Sequence, residues 1–197
     1  MRKHQKIFSS VLCVTLTLLI AIGTSACNKK SAFKIEDTLP KGKGKTGKLY
    51  DAFIDYVTAS VNYLAAKNYD ITIEAMCWMQ GESDSFSVEN ATNYQTHLSN
   101  FIKDIRKQFT TYAVQDGIAF IDAYIADNPM YWVYCDLVNA SKKAVAEQSQ
   151  RNALIDTIAH GLTCDKEPEG TPDMAHYDSA SQIKLGHLFA EEVCKFL

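Results

Sequence analysis

Residues 71–84 read ITIEAMCWMQGESD, an apolar run of strand length that ends in a polar cluster with a glycine at its centre. Glu74 is the only charged residue before the cluster, so the run is typical of a strand that is buried on both faces. Open α/β sheets place their binding and catalytic groups where such strands end. Residues 80–84 are therefore predicted to form an active-site loop, although they are also typical of a turn that caps the next segment.

Helices and strands alternate on either side of this stretch. Apolar residues recur every three or four positions in four segments, which predicts helices at residues 50–67, 87–109, 140–150 and 179–196. Short apolar runs predict strands at residues 71–79, 117–125 and 153–158. Strands that alternate with helices of this length favour a mainly parallel sheet with right-handed crossovers. The predicted fold class is α/β, with three α/β/α layers.

The composition is that of one globular domain. The chain has 197 residues, of which 47% are hydrophobic and 22% charged, and this is enough for one well-buried core. Removing residues 1–26 removes three of the 20 basic residues and none of the 23 acidic ones, which takes the net charge from −3 to −6. Because no basic surface is expected to remain, we expect no nucleic-acid partner.

The first 26 residues have the pattern of a bacterial export signal. Three basic residues precede an apolar run over residues 7–22, and small residues then lead to Cys27. A cysteine at this position resembles the one that is lipidated in bacterial lipoproteins, where it becomes the first residue after cleavage. We expect a lipoprotein signal peptide at residues 1–26 and a chain that is exported and anchored to the membrane through lipidated Cys27, in the periplasm or at the cell surface. Plain secretion and an uncleaved anchor are the alternatives.

A linker is predicted between the signal and the folded domain. Residues 27–48 are rich in Lys, Gly, Ser and Thr and have neither a strand nor a helix period. The folded domain is therefore expected at residues 49–197.

The remaining cysteines do not predict a particular chemistry. An exported protein can form disulfides, but the wide spacing of the four is no disulfide framework, so free buried thiols are equally compatible with it. His160 and Cys164 lie four residues apart, but this spacing is too loose to indicate a metal site. We expect no metal and no cofactor. The four cysteines are Cys77, Cys135, Cys164 and Cys194.

A second polar pair lies near the C-terminus. Asp173 precedes His176 by three residues. A carboxylate in this position can contact the imidazole, fix its tautomer and stabilise the imidazolium, as in the acid and base of a hydrolytic triad. By itself the spacing is weak evidence, because it is more typical of an exposed turn before a helix.

Together the two clusters resemble a known family. The sequences CWMQGESD at residues 77–84 and DMAHYDSASQIKLGHLFA at residues 173–190 are similar to those of SGNH (GDSL-like) hydrolases of the carbohydrate-esterase branch, which contains sialate O-acetylesterases and acetylxylan esterases. The resemblance extends over residues 50–197. It implies a flavodoxin-like fold and an acetylated carbohydrate as substrate, with Asp173 as acid and His176 as base. It also implies that a block of Gln80, Gly81 and Glu82 lines the oxyanion site.

The sequence departs from this family in one respect. Family members begin with a strand that ends in a block containing the nucleophilic serine, and this block should precede residue 50. The N-terminal strand is expected to be missing here, so the nucleophile is unknown. Gly23 and Ser25 follow the apolar run of the signal and only superficially resemble the block, while Ser83 and Ser85 lie in the oxyanion block instead.

Two functions remain open on the sequence alone. The first is a serine esterase domain that is truncated and inactive, or that needs a complementing chain to supply its serine. The second is a non-catalytic surface lipoprotein that binds glycans. Tyr131, Trp132 and Tyr134 form an aromatic group that suits either a sugar site or the core.

Overall fold

The computed structural model describes residues 14–15 and 47–197 of the chain. The predicted lipidation site Cys27, the candidate Ser25, nearly all of the predicted linker and most of the predicted signal peptide lie outside the described residues. Within them no helix is long and apolar enough to cross a membrane.

In the described part of the chain four strands form one parallel sheet, and they neighbour each other in chain order. The strands are β1 (Val14–Thr15), β2 (Ala75–Trp78), β3 (Ala119–Ala123) and β4 (Asn152–Ile155). The helices are α1 (Lys48–Ala66), α2 (Val88–Gln108), α3 (Cys135–Ala146) and α4 (Ser179–Cys194). Short 3-10 helices follow β2 at Asp84–Phe86 and α2 at Thr110–Tyr112. This alternation confirms the predicted fold class.

The helices form the two outer layers of an α/β/α sandwich. Buried residues of α1, α2 and α3 pack with Trp78 and Phe120 on one face of the sheet, and α4 packs with Cys77 and Ile121 on the other. Successive residues of a strand point to opposite faces, so β2 and β3 each supply both cores. Because both faces are covered, every residue of β2 and β3 is buried, which explains their nearly continuous apolar sequences.

Two predictions about elements were wrong. The N-terminal strand was expected to be missing, but Val14 and Thr15 pair in parallel with Met76 and Cys77 of β2. These two residues lie inside the predicted signal peptide, and periodicity alone does not distinguish a short apolar signal from a buried strand. Helix α3 begins at Cys135 rather than at residue 140. Its first residue follows Tyr134, which forms no side-chain cap, so the usual polar signal of a helix start is absent.

Candidate active site

The candidate site lies at the carboxyl edge of the sheet, where the loops after β2, β3 and β4 meet the segment before α4. The hydroxyl of Tyr177 lies 3.2 Å from the carbonyl oxygen of Tyr124 and 3.0 Å from the hydroxyl oxygen of Thr157. Tyr124 follows β3 and Thr157 follows β4, so this side chain joins the segment of Asp173 and His176 to the ends of two strands. Parallel strands end at one edge of a sheet, and the loop after β2 is therefore at the same edge.

Gln80 is buried and holds the loop after β2 together. Its Nε2 donates to Oδ2 of Asp84 over 2.6 Å, and both side chains are buried. The hydroxyl of Tyr94 on α2 lies 2.7 Å from the backbone oxygen of Gln80 and 3.2 Å from its Oε1. Gln80, which the family resemblance assigns to the lining of the oxyanion site, thus stabilises this loop through buried hydrogen bonds.

Gly81 has a backbone conformation and surroundings that require glycine. Its φ is 145°, a region that other residues rarely adopt. A Cβ atom here would lie 2.7 Å from Cγ1 of Val138 and 3.3 Å from side-chain carbons of Ile125 and Lys142. The loop therefore passes directly over α3 and the end of β3.

A buried ion pair lies beneath the loop. Nζ of Lys142 is 2.6 Å from Oδ1 of Asp122, with 0% and 5% of the two side chains exposed. Nζ also lies 5.6 Å from the ring centroid of Tyr94, the residue that contacts Gln80. Burial raises the pKa of Asp122 to about 6, although Lys142 and the backbone N–H of Ala123 act in the opposite direction. Sequence reasoning missed this pair, and the signal for it was a lone carboxylate inside an apolar strand.

Two serines in the loop after β2 differ in accessibility. Ser85 is fully buried, and its hydroxyl donates to the carbonyl oxygen of Glu82 over 2.6 Å. Its backbone N–H donates to Gly81 over 3.0 Å, so Ser85 closes the loop and is not placed as a nucleophile. Ser83 and Glu82 are half-buried.

Asp173 and His176 are in direct contact at the surface. Nδ1 of His176 lies 3.0 Å from Oδ1 and 2.9 Å from Oδ2 of Asp173, with 78% of the imidazole exposed. This contact favours the tautomer with its proton on Nδ1 and leaves Nε2 to accept a proton. Partial burial raises the pKa of Asp173, but hydrogen bonds from His176 and from the N–H of Ala175 outweigh it, so the pKa ends below its usual value. The carboxylate is therefore ionised beside the imidazole at neutral pH.

The segment that carries this pair is held by buried and half-buried groups. The carboxylate of Asp178 accepts hydrogen bonds from the hydroxyl of Thr163 and from the N–H groups of Lys166 and Glu167, over 2.6 to 3.1 Å. Nδ2 of Asn128, in the loop after β3, donates to the carbonyl oxygen of Met174 over 3.0 Å. The position of the pair is thus fixed by contacts with two other segments.

The structure shows how far the aromatic group of Tyr131, Trp132 and Tyr134 and the cysteines are buried. Trp132 and Tyr134 are half-buried and pack against the core, whereas Tyr131 is 41% exposed. Cys135, Cys164 and Cys194 are free thiols; Cys77 and Cys135 are buried, and Cys194 is exposed. The structure places Asp173 and His176 in contact and Gln80, Gly81 and Glu82 in one loop at the same edge. The roles predicted for these five residues stay predictions.

Comparison with known proteins identifies the fold and the family of this chain. The chain is similar over 84% of its length to 58% of an Arabidopsis thaliana protein whose X-ray structure is known at 1.6 Å resolution, with 20% sequence identity and a TM-score of 0.61. This likeness supports the fold. No curated protein matches the chain. A family described as carbohydrate esterase, sialic acid-specific acetylesterase, matches residues 19–195, so the match begins inside the predicted signal peptide. The chain therefore belongs to this family of carbohydrate esterases.

Proposed function

We propose that this chain is a carbohydrate O-acetylesterase domain of the serine type, with His176 as general base and Asp173 as the residue that orients it. The observation that carries the proposal is the contact of Nδ1 of His176 with both carboxylate oxygens of Asp173, on an imidazole that is 78% exposed. An exposed imidazole with an oriented Nδ1 can take a proton through Nε2 from an incoming hydroxyl.

The reaction would proceed through an acyl-enzyme. Nε2 of His176 removes the serine proton as the serine oxygen attacks the acetyl carbonyl, and the imidazolium then donates this proton to the sugar oxygen as it leaves. In the second half, His176 removes a proton from water as the water attacks the acetyl group, and it then returns this proton to the serine oxygen as acetate leaves. Backbone N–H groups of Gly81 and Glu82 are the proposed donors to the oxyanion, because the amide of Gln80 already donates to Asp84.

The nucleophile has two candidate sources. Ser25 lies within residues 19–195, the part of the chain that the family matches, but cleavage before Cys27 would remove it, so this source requires an uncleaved chain. The alternative is a complementing chain that supplies the serine block. The second source fits the expectation that the chain alone is inactive.

Acetate release by the full chain tests this function. We expect any hydrolysis of an acetylated xyloside or a chromogenic acetyl ester to fall at least about 1,000-fold in His176→Ala, because the base is lost. Ser25→Ala would abolish the reaction if Ser25 is the nucleophile and would leave it unchanged if the serine comes from elsewhere. Hydrolysis that persists in His176→Ala would contradict the proposal.

Export and lipid anchoring at Cys27 are part of the proposal on sequence grounds. They would place the domain on a bacterial membrane, where it meets extracellular glycans. Labelling with a radioactive fatty acid in cells, lost in Cys27→Ala, tests this. A chain that hydrolyses no ester but binds glycans would instead fit a non-catalytic surface lipoprotein.

A further inference from the structure

The loop between β3 and α3 lies between the two parts of the candidate site. At one end, Nδ2 of Asn128 donates to the carbonyl oxygen of Met174, two residues before His176. At the other end, the N–H of Tyr134 donates over 2.9 Å to the carbonyl oxygen of Ser85, in the loop of Gln80 and Gly81. A substrate that contacts both the base and the proposed oxyanion donors would therefore lie beside residues 128–134.

The exposed side chains of this region are apolar. Met130 is 90% exposed, Val133 52% and Tyr131 41%, and Phe86 from the neighbouring 3-10 helix is 55% exposed. The ring of Phe86 lies 5.4 Å from that of half-buried Trp132, at an angle of 51°. Large apolar side chains grouped beside a candidate active site indicate a binding surface. Because one face of a pyranose ring presents mainly C–H groups, it packs well on aromatic rings while its hydroxyl groups contact polar residues at the rim.

The charges around the site oppose an anionic sugar. The pKa of the Cys164 thiol is raised to about 11, first by burial and then by the negative charges of Asp178, Asp173, Asp165 and Glu82. Backbone hydrogen bonds join the segments that carry three of these carboxylates: the N–H of Met174 donates to the carbonyl oxygen of Cys164 over 3.0 Å, and the N–H of Asp178 donates to that of Thr163 over 2.9 Å. Asp165, Asp173 and Asp178 therefore lie on adjoining segments beside the base, where they create a negative potential. A sugar carboxylate would be repelled in this potential, whereas a neutral sugar would not.

We propose that Phe86, Tyr131 and Trp132 form the subsite for the sugar ring, and that this subsite takes an uncharged acetylated sugar rather than a sialic acid. The subsite deepens the proposed function and rests on it for the acetyl group. Its sugar binding is measurable without catalysis.

Tryptophan fluorescence reports on this subsite directly. The chain has two tryptophans, and Trp78 is buried in the core with 2% exposed, so a ligand on the subsite would change the emission of Trp132. Full-length His176→Ala, which does not consume the ester, is titrated with an O-acetylated methyl xyloside and with an O-acetylated sialic acid methyl glycoside. We expect a saturable change with the xyloside, at least tenfold weaker binding of the sialoside, and loss of the signal in Trp132→Phe.

Substitutions of exposed residues test the subsite, and one of them lies away from it and serves as the control. Phe86→Ala and Tyr131→Ala should each weaken xyloside binding about tenfold or more, whereas Ile183→Ala, at a 65% exposed residue on α4, should leave it unchanged. Equal binding in Phe86→Ala and Ile183→Ala, or sialoside binding as tight as that of the xyloside, would overturn the proposal. Binding that depends on Trp132 in a chain without acetate release would refute the esterase function alone. Acetate release with an unchanged KM in Phe86→Ala would refute the subsite alone.

Discussion

At the residue scale, a side chain at Gly81 would meet two costs, one from the backbone conformation and one from a steric contact. Gly117 allows the backbone cost to be measured alone. Alanine at Gly81 would adopt an unfavourable φ of 145° and place its Cβ 2.7 Å from Val138. Alanine at Gly117, with a φ of 83° and no atom within 4 Å, meets the backbone cost alone. We expect Gly117→Ala to lower the free energy of unfolding by about 1 kcal/mol and Gly81→Ala by about 3 kcal/mol or more. Urea unfolding measures both, and equal losses would show that the contact with Val138 is easily relieved.

The buried pair of Asp122 and Lys142 predicts a pH dependence of stability with a definite sign. The folded pKa of Asp122 is about 6, against an ordinary 3.8, so between these values the folded chain binds more protons than the unfolded chain. The free energy of unfolding should therefore fall as pH rises from about 4 to about 6, through this group. Unfolding by urea across this range should show the slope in the wild type and not in Asp122→Asn.

The same pair offers an internal control. Lys142→Met leaves the carboxylate of Asp122 buried without its ammonium partner, and we expect a loss of about 3 kcal/mol at pH 7. Replacing both residues, as Asp122→Leu with Lys142→Met, removes both charges and should recover most of the loss. A double variant as unstable as the single one would mean that the site needs the ion pair for packing rather than for charge balance.

At the element scale, the segment before α4 depends on one carboxylate. Asp178 binds Thr163, Lys166 and Glu167, and its pKa ends below the usual value because these hydrogen bonds outweigh its burial. In Asp178→Ala we expect faster hydrogen exchange of the amides of Lys166 and Glu167. Amides of β3 supply the control, and unchanged exchange at Lys166 and Glu167 would contradict a role of Asp178 in holding this segment.

Local sequence patterns predict helices and strands better than they predict contacts between distant side chains. Strands β2 and β3 were predictable because both are short and are apolar apart from Asp122 in β3. The contact of Asp173 with His176 was predictable because three residues separate them. The start of α3 was not, since Tyr134 gives no polar cap signal. Tyr94 lies on the buried face of α2, and nothing in its spacing shows that its hydroxyl contacts Gln80. Such contacts depend on how helices dock on the sheet.

At the scale of the whole molecule, the position of β1 decides which part of the chain folds as one unit. Val14 and Thr15 pair with β2, whose four residues are all buried, and the family match starts at residue 19. If this segment belongs to the domain, removing it exposes the edge of β2, which favours pairing with other chains. If it is only a signal peptide, the chain from residue 27 should be just as stable.

We expect the shortened chain to be the less stable one, and to associate. Urea unfolding and size-exclusion chromatography of residues 27–197 and of the full chain measure this. The full chain with Val14→Pro and Thr15→Pro should behave like the shortened chain, because proline removes the backbone N–H groups that a strand needs. Asn28→Pro, in the predicted linker, serves as the control and should leave stability unchanged. A shortened chain that stays monomeric with an unchanged unfolding midpoint would show that the pairing of β1 adds nothing to the fold, and it would return residues 1–26 to their predicted role in export.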